Sequence, residues 1–416
     1  MRVNKIWGTI IIIVSIIMYA FLGTAIIYSQ DSIIVKVFWI LLCCFAIISL
    51  LAYVHMPSNS KKPIAEGYVV AIVPVYNEDS IVTRRTIEAL LGQSVTIDEI
   101  HVVDDGSDKP MKMFNHPRVF CYRQNNAGKR YAQAAALKRL NPKKVDFILT
   151  VDSDSILDMR AVEYMLRALS DPKVKACSGS VLASNFNKNT LTKIQEFDYM
   201  ISFFGRCTKR LIGMLETTSG ACAIYRSKIL FYHLEDYLKQ GKAGDDRRLC
   251  IYSLLEGKVL HVQEAIAYTQ VPENIKQLYK QRIRWSISGW DSVPVYLANF
   301  GIRIWFFPVL NMIQTVITPI LFISIIIQSL FFSPTILIYL LIYTTMILYT
   351  EAALYVSARR GWSLVQRFWY WLTITPLLVV ITYIINLPAR YTALFHLGDT
   401  TWGTRSKGSV APKLND

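Results

Sequence analysis

Paired cysteines are missing from this chain of 416 residues. Its seven cysteines, at positions 43, 44, 121, 177, 207, 222 and 250, include no Cys-x-x-Cys pair, and no histidine cluster accompanies them. That argues against a zinc site and a disulfide framework, and it fits a soluble part kept reduced in the cytosol. Charge is scarce too: 18% of residues are charged against 53% hydrophobic, with a mean hydropathy of +0.32. The chain is too apolar for an ordinary soluble enzyme and too charged for a pure membrane bundle, so a soluble domain joined to membrane helices is expected. Acidic residues are outnumbered 30 to 45, which leaves a formal net charge of +15. Basic loops beside anionic lipid explain part of this excess, and an anionic substrate such as a nucleotide diphosphate adds to it. No basic block interleaved with aromatics occurs in the soluble part, so nucleic acid is not expected as a partner. Internal repeats and low-complexity segments are absent as well.

Long apolar runs are present at both ends. Residues 7–28 and 33–54 each reach the roughly 20 residues that a bilayer requires. A cleaved signal peptide fits the first run poorly, because it is too long and a second span follows a very short loop. Arg2 and Lys5 precede the first run, Lys61 and Lys62 follow the second, and the loop between carries Asp31 and no cation. The positive-inside rule then places the amino terminus and the domain after residue 60 on the cytoplasmic side. Further spans are expected at 304–331 and 334–357, and the loop after them carries Arg359, Arg360 and Arg367. The last apolar stretch, 368–397, is interrupted by Pro376 and Pro388, which favours a kinked or re-entrant path. One crossing would put the tail outside, and two short passes would return it.

Between these runs the chain alternates. Segments 68–73, 99–103, 146–151 and 174–181 are rich in Val and Ile and read as strands, with 221–225 and 259–268 extending the sheet. Segments 80–91, 129–140 and 160–169 read as helices between them. Such alternation predicts βαβ units and a largely parallel sheet. Residues 274–290 mix apolar and basic side chains, as an interfacial helix does, and 293–307 fits a second one.

The chemistry gathers at the strand ends. Asp152-Ser153-Asp154 follows an apolar strand, and Asp104-Asp105 follows another, which places carboxylates at the carboxyl edge where α/β sheets bind ligands. Alternate carboxylates can hold Mg²⁺ or Mn²⁺ against a diphosphate. The first strand delivers Tyr76, Asn77 and Glu78 to the same edge, although Asn77 and Glu78 also fit a turn and helix cap. Gly128-Lys129-Arg130 opens a helix where backbone N–H groups and two cations suit phosphate, and a plain solvated helix start fits as well. Gly244-Asp245-Asp246-Arg247-Arg248 precedes a helical run. A carboxylate there can take the proton of an attacking hydroxyl, or serve as an N-cap beside arginines. Gln281, Arg284 and Trp285 lie on the interfacial segment, where an indole offers a platform for a sugar face or a membrane-belt anchor.

Taken together and in this order, Asp104-Asp105, Asp152-x-Asp154, Gly244-Asp245-Asp246 and Gln281-x-x-Arg284-Trp285 resemble the processive family 2 glycosyltransferases, which include hyaluronan, cellulose and chitin synthases. Trp402-Gly403-Thr404-Arg405 resembles the terminal motif of class I hyaluronan synthases and of related cellobiuronic acid capsule synthases. The resemblance implies an α/β fold of the GT-A type, with a Rossmann-like, largely parallel sheet, as a cytosolic domain embedded between transmembrane helices. Its implied layout is two transmembrane helices in 1–60, the GT-A domain in 61–272 and interfacial helices in 273–303. Channel-forming transmembrane helices in 304–397 and a cytosolic tail in 398–416 complete it.

By that resemblance Asp246 is the general base. Tyr76, Glu78, Asp104, Asp105, Lys129, Arg130, Asp152 and Arg405 would bind the donor, and Asp154 its Mg²⁺ or Mn²⁺. Gly220, Cys222, Gln281, Arg284 and Trp285 would bind the acceptor, and Trp402 would gate the site. The implied partners are UDP-sugars, the nascent polysaccharide and membrane lipids, in a multi-pass protein of the cell membrane. Hyaluronan, from UDP-glucuronate and UDP-N-acetylglucosamine, is the expected product. Gly220-Ala221-Cys222 departs from the Gly-Pro-Leu usual in hyaluronan synthases. Chitin oligosaccharide, poly-N-acetylglucosamine and glucose–glucuronate capsule synthases therefore stay open, as does a polyprenyl-phosphate glycosyltransferase. Nothing in the sequence indicates an oligomeric state.

Overall fold

Helices α1 (Lys5–Tyr28) and α2 (Ile33–Val54) lead into an α/β domain in the computed structural model. The structure describes residues 5–28, 33–55, 58–211, 213–239, 244–302, 335–359 and 361–397, with scattered residues between 304 and 331. Strand β1 (Val69–Val75) is buried at every position, as a strand covered on both faces must be. Its alternate side chains serve opposite layers. Val69, Ala71, Val73 and Val75 share a core with α3 (Ser80–Leu91) and α5 (Ala161–Leu169). Val70 and Ile72 pack with α4 (Lys129–Leu137) and α9 (Asp245–Glu256) instead.

The remaining strands are β2 (Glu99–Asp104), β3 (Val119–Arg123), β4 (Phe147–Thr150), β5 (Ile156–Leu157), β6 (Val174–Ala183), β7 (Ala223–Arg226) and β8 (Lys258–Thr269). They form one eight-stranded sheet in the order β3-β2-β1-β4-β7-β6-β8-β5. Strands β1 to β4 are mutually parallel, with Val75 opposite Asp104 and Ile72 opposite Thr150. The parallel expectation describes this half. In the other half β7 runs antiparallel to both neighbours and β5 antiparallel to β8, so the sheet as a whole is mixed. Strand order reverses between β1 and β4, the switch point where ligands enter such sheets. The loops after β1 and β4 open there.

Helix α6 (Thr190–Leu211) follows β6, and α7 (Ser227–Tyr232) and α8 (Leu234–Lys239) follow β7. Helix α10 (Ile275–Asn299) continues through Pro294, so part of the stretch expected as a second interfacial helix belongs to the first. Among the described residues three helices are long and apolar enough to cross a membrane: Ile6–Tyr28, Leu341–Ala358 and Leu364–Leu394. The second belongs to α11 (Thr335–Ala358), which packs on α1 through Tyr19 and Tyr343. The third is one helical run in place of the two short passes considered above. It comprises α12 (Leu364–Ile381) with Pro376 inside, a π-turn at Thr382–Asn386 and α13 (Leu387–Leu394). Tyr370 near its start touches Phe186, and at its end the carbonyl of Arg390 accepts from Trp290 Nε1 at 3.1 Å. Both ends therefore rest on the α/β domain or on α10.

Candidate active site

The lysine that opens α4 organises the floor. Lys129 Nζ lies 2.7 Å from Asp152 Oδ1 and 3.6 Å from Asp246 Oδ1. Burial opposes its charge, but Asp152, Asp246 and Asp245 more than offset this and hold its pKa above the ordinary value. Asp246 responds in the other direction. Burial raises its carboxyl to about 6, Lys129 pulls it down, and Asp152 and Asp245 push it up. A carboxylate with that value is poised to accept a proton near neutral pH. Arg130 Nε bonds Asp245 Oδ1 at 2.9 Å with its guanidinium over the Tyr237 ring, which ties the starts of α4 and α9 together. Gly244, at φ +99°, turns the chain into α9 so that Asp245 and Asp246 occupy its first turn, where the helix dipole favours anions.

Gly220 completes the floor. A Cβ built there would lie 2.8 Å from Asp152 Oδ2, 2.8 Å from Lys129 Nζ and 2.9 Å from Asp246 Oδ2. Only a glycine fits without moving the cluster. Beside it, Asp154 Oδ1 accepts from Thr269 and Ser155 hydroxyls at 3.1 and 3.3 Å, and Ser153 Oγ donates to Glu78 Oε2 at 3.1 Å.

One wall joins α6 to α10. Tyr199 and Trp285 rings lie 5.9 Å apart, and the Arg282 guanidinium sits 4.5 Å from the Trp285 ring while pairing with Asp198 at 2.7 Å. Trp285 keeps 41% of its surface exposed, as a stacking platform needs. Burial lowers the Arg284 pKa, and Asp152, Asp246 and Asp245 oppose that shift.

All of these surfaces line a cavity of about 800 Å³. It brings together Tyr76, Glu78, Lys129, Arg130, Asp152, Asp154, Gly220, Asp246, Gln281, Arg284 and Trp285, residues from six separate sequence regions. Three expected site residues lie elsewhere. Asp104, 2% exposed, accepts from the backbone of Ser107 and Met111 and from Arg123, and Asp105, fully buried, accepts from Gln124, Ala127 and Gly128. Their oxygens brace the loops leading to Lys129, and neither lines the cavity. Cys222 is fully buried with its thiol against Met165, so Ala221 and Gly220 face the cavity in its place. Trp402 and Arg405 fall outside the described residues.

The cavity also contains side chains that sequence reasoning missed: Asp198 and Arg206 on α6, Arg247, and Asn386 and Arg390 near the π-turn. For the last two a signal existed. Polar residues four apart within an apolar run are costly unless they serve a site.

Asp152 and Asp154 fit a hard divalent cation. Among the described residues no cluster of three His, Cys, Asp or Glu forms a closed cage. Mg²⁺ and its like bind through one or two carboxylates and leave the remaining positions to water and substrate phosphate.

A buried cation between carboxylates at a sheet switch point, a raised aspartate and an exposed indole on one cavity define a group-transfer enzyme. The model of the family described as glycosyltransferase like family 2 matches residues 66–288, and the chain belongs to that family. It is a glycosyltransferase with a GT-A-like fold. It is 27% identical over 402 residues to hyaluronan synthase of Streptococcus pyogenes, covering 90% of this chain and 92% of that one. It is 35% identical over 248 residues to an N-acetylglucosaminyltransferase of Neorhizobium galegae, covering 56% and 57%. Among solved structures it is similar to the mannosyltransferase PcManGT from Pyrobaculum calidifontis in complex with GDP-Man and Mn²⁺. That likeness has a TM-score of 0.48 at 16% identity and covers 86% of this chain and 97% of that one.

Proposed function

We propose that this glycosyltransferase polymerises UDP-sugars into a polysaccharide at the inner face of the cell membrane and passes the polymer outward, with hyaluronan as the product. The observation that carries the reading is the convergence of Lys129, Asp152, Asp246 and Trp285 on one cavity, which is also lined by Pro308, Met312 and Thr315 from the membrane-proximal region. Similarity to hyaluronan synthase along 90% of the chain supports the product.

In this mechanism Trp285 and Tyr199 hold the terminal sugar of the growing chain. Asp246 takes the proton of its attacking hydroxyl as the oxygen bonds to the anomeric carbon of the donor, and the bond from that carbon to UDP breaks with inversion. Lys129 and Arg130 stand beside the departing diphosphate. Asp152 and Asp154 would hold Mg²⁺ or Mn²⁺, which supplies charge neutralisation to the diphosphate when bound. Arg405 and Trp402 would act on the donor and as a gate when the tail returns to the cavity.

The test is donor dropout on membranes containing the full chain. Long polymer only when UDP-glucuronate and UDP-N-acetylglucosamine are both present supports hyaluronan; polymer from either donor alone rules it out. The N-acetylglucosaminyltransferase similarity favours one second reading, a chitin-type product made from UDP-N-acetylglucosamine alone. Product digestion with linkage-specific hydrolases separates the two.

A further inference from the structure

Tyr199, Ser202, Phe203 and Arg206 fall at i, i+3, i+4 and i+7 along α6, on one face of the helix, and all line the cavity. Arg206 stands about 10 Å along the helix axis from the Tyr199–Trp285 platform, seven residues at 1.5 Å each. Its Nη1 is shut off from solvent and makes no hydrogen bond. The guanidinium rests 5.4 Å from the Phe203 ring. Burial lowers its pKa to about 10; Cys250 opposes this, Arg247 adds to it, and Glu216 opposes it more weakly.

The nearby acid is already taken: Glu216 lies 2.8 Å from Lys209 Nζ. Arg247, next to the proposed base in sequence, leans on Ser288 Oγ at 3.3 Å. A cation buried without a counter-charge is destabilising, and such an arrangement persists where a ligand supplies the missing anion. The diphosphate already has Lys129 and Arg130 beside it. The missing anion therefore belongs to a sugar.

We propose that Arg206, with Arg247 lining the same cavity, is a carboxylate subsite that recognises a hexuronic acid unit, through the planar fork that guanidinium offers to a carboxylate. This rests on the synthase reading above and specifies its sugar. The carboxylate arrives either on the donor or on the acceptor chain, and the two sources are separable.

The experiment uses the full-length enzyme in membranes, with Arg206→Gln and Arg206→Lys. Donor dropout on wild type comes first and judges the synthase reading by itself. The second measurement is selectivity, the ratio of kcat/KM for UDP-glucuronate to that for its neutral analogue UDP-glucose. A parallel arm compares oligosaccharide acceptors ending in glucuronate or in glucose. Arg206→Gln should lower one of these ratios at least 10-fold while KM for UDP-N-acetylglucosamine stays within 2-fold, and Arg206→Lys should recover part of the loss. General damage to the fold lowers all rates together and leaves the ratios in place. A fall confined to the donor ratio, or to the acceptor ratio, identifies the carboxylate's source. If Arg206→Gln cannot be recovered folded, Arg206→Lys should still lower the ratio several-fold. Wild-type selectivity retained in both ratios overturns the subsite, even in an enzyme that makes hyaluronan.

Discussion

Acid should silence this enzyme through Asp246 well before it unfolds the chain. Burial together with Asp152 and Asp245 holds that carboxyl at about 6, with Lys129 opposing the rise. A general base works only when ionised. At a pKa of about 6 the ionised fraction is about 0.9 at pH 7, half at pH 6 and about 0.1 at pH 5, so kcat/KM should drop about 10-fold between pH 7 and pH 5. At its ordinary 3.8 the same aspartate would lose only about 6% over that interval. The assay is the initial rate of UDP release at low donor concentration, at constant ionic strength and saturating divalent cation, from pH 5 to 8. Asp246→Asn should cost roughly 10²- to 10⁴-fold and erase the limb. Lys129→Met removes the cation that pulls the value down, so its limb should move to higher pH, on top of any loss of leaving-group assistance. A wild-type profile flat to pH 5, or a limb that survives in Asp246→Asn, refutes the assignment of the base.

Two further outcomes follow from the cavity. Gly220→Ala inserts a methyl within 3 Å of Asp152, Lys129 and Asp246. Displacing reacting groups by about 1 Å costs on the order of 100-fold, so turnover should fall by that much while the melting temperature hardly moves; activity within 3-fold of wild type would show that the ion cluster is not part of the chemistry. Asn386 Oδ1 is buried without a hydrogen bond, and Arg390 lies one turn on, with both side chains on the cavity wall. Asn386→Leu with Arg390→Gln should shorten the polymer severalfold on a sizing gel with little change in the rate of the first transfer, and unchanged chain length would remove both from the acceptor path.

The strands that carry the site were legible because their burial is two-sided. Val69–Val75 and Phe147–Thr150 are apolar at nearly every position, and such runs ending in Asp or Asn announce the carboxyl edge of a sheet. Strand β3 escaped notice because it is an edge strand, buried at Val119 and open at Phe120, and β5 is only two residues long. The antiparallel half was hidden for a different reason. Direction in a sheet depends on how far the chain travels between strands, and the long excursion through α6 carries no local mark of where it returns. Motif position was also a poor guide to side-chain direction. Asp104 and Asp105 sit at a strand end as expected, but Asp104 finds backbone donors in its own loop and Asp105 in the loop before α4, so the pair shapes the path to Lys129. Arg206 and Asp198 could not be singled out at all, because a polar residue on an amphipathic helix looks solvated until the cavity beside it is known.

The side of the membrane on which the final apolar run ends is open to a direct test. Leu364–Leu394 comprises 31 residues, about 46 Å of helix, against a hydrocarbon core of roughly 30 Å. An upright crossing would leave a third of it outside. Both of its ends instead meet the α/β domain or α10: Tyr370 touches Phe186, Tyr279 bonds Thr392 at 2.7 Å, and Trp290 bonds the carbonyl of Arg390. These contacts hold both ends of the run against the α/β domain and α10. The expected outcome is that the chain after Leu397 emerges on the same side of the membrane as Asp246. A fluorescent protein fused after Asp416 should light up in the cytosol, and alkaline phosphatase fused there should stay inactive. An active phosphatase would mean that the run crosses once, and the tail could then take no part in binding the donor.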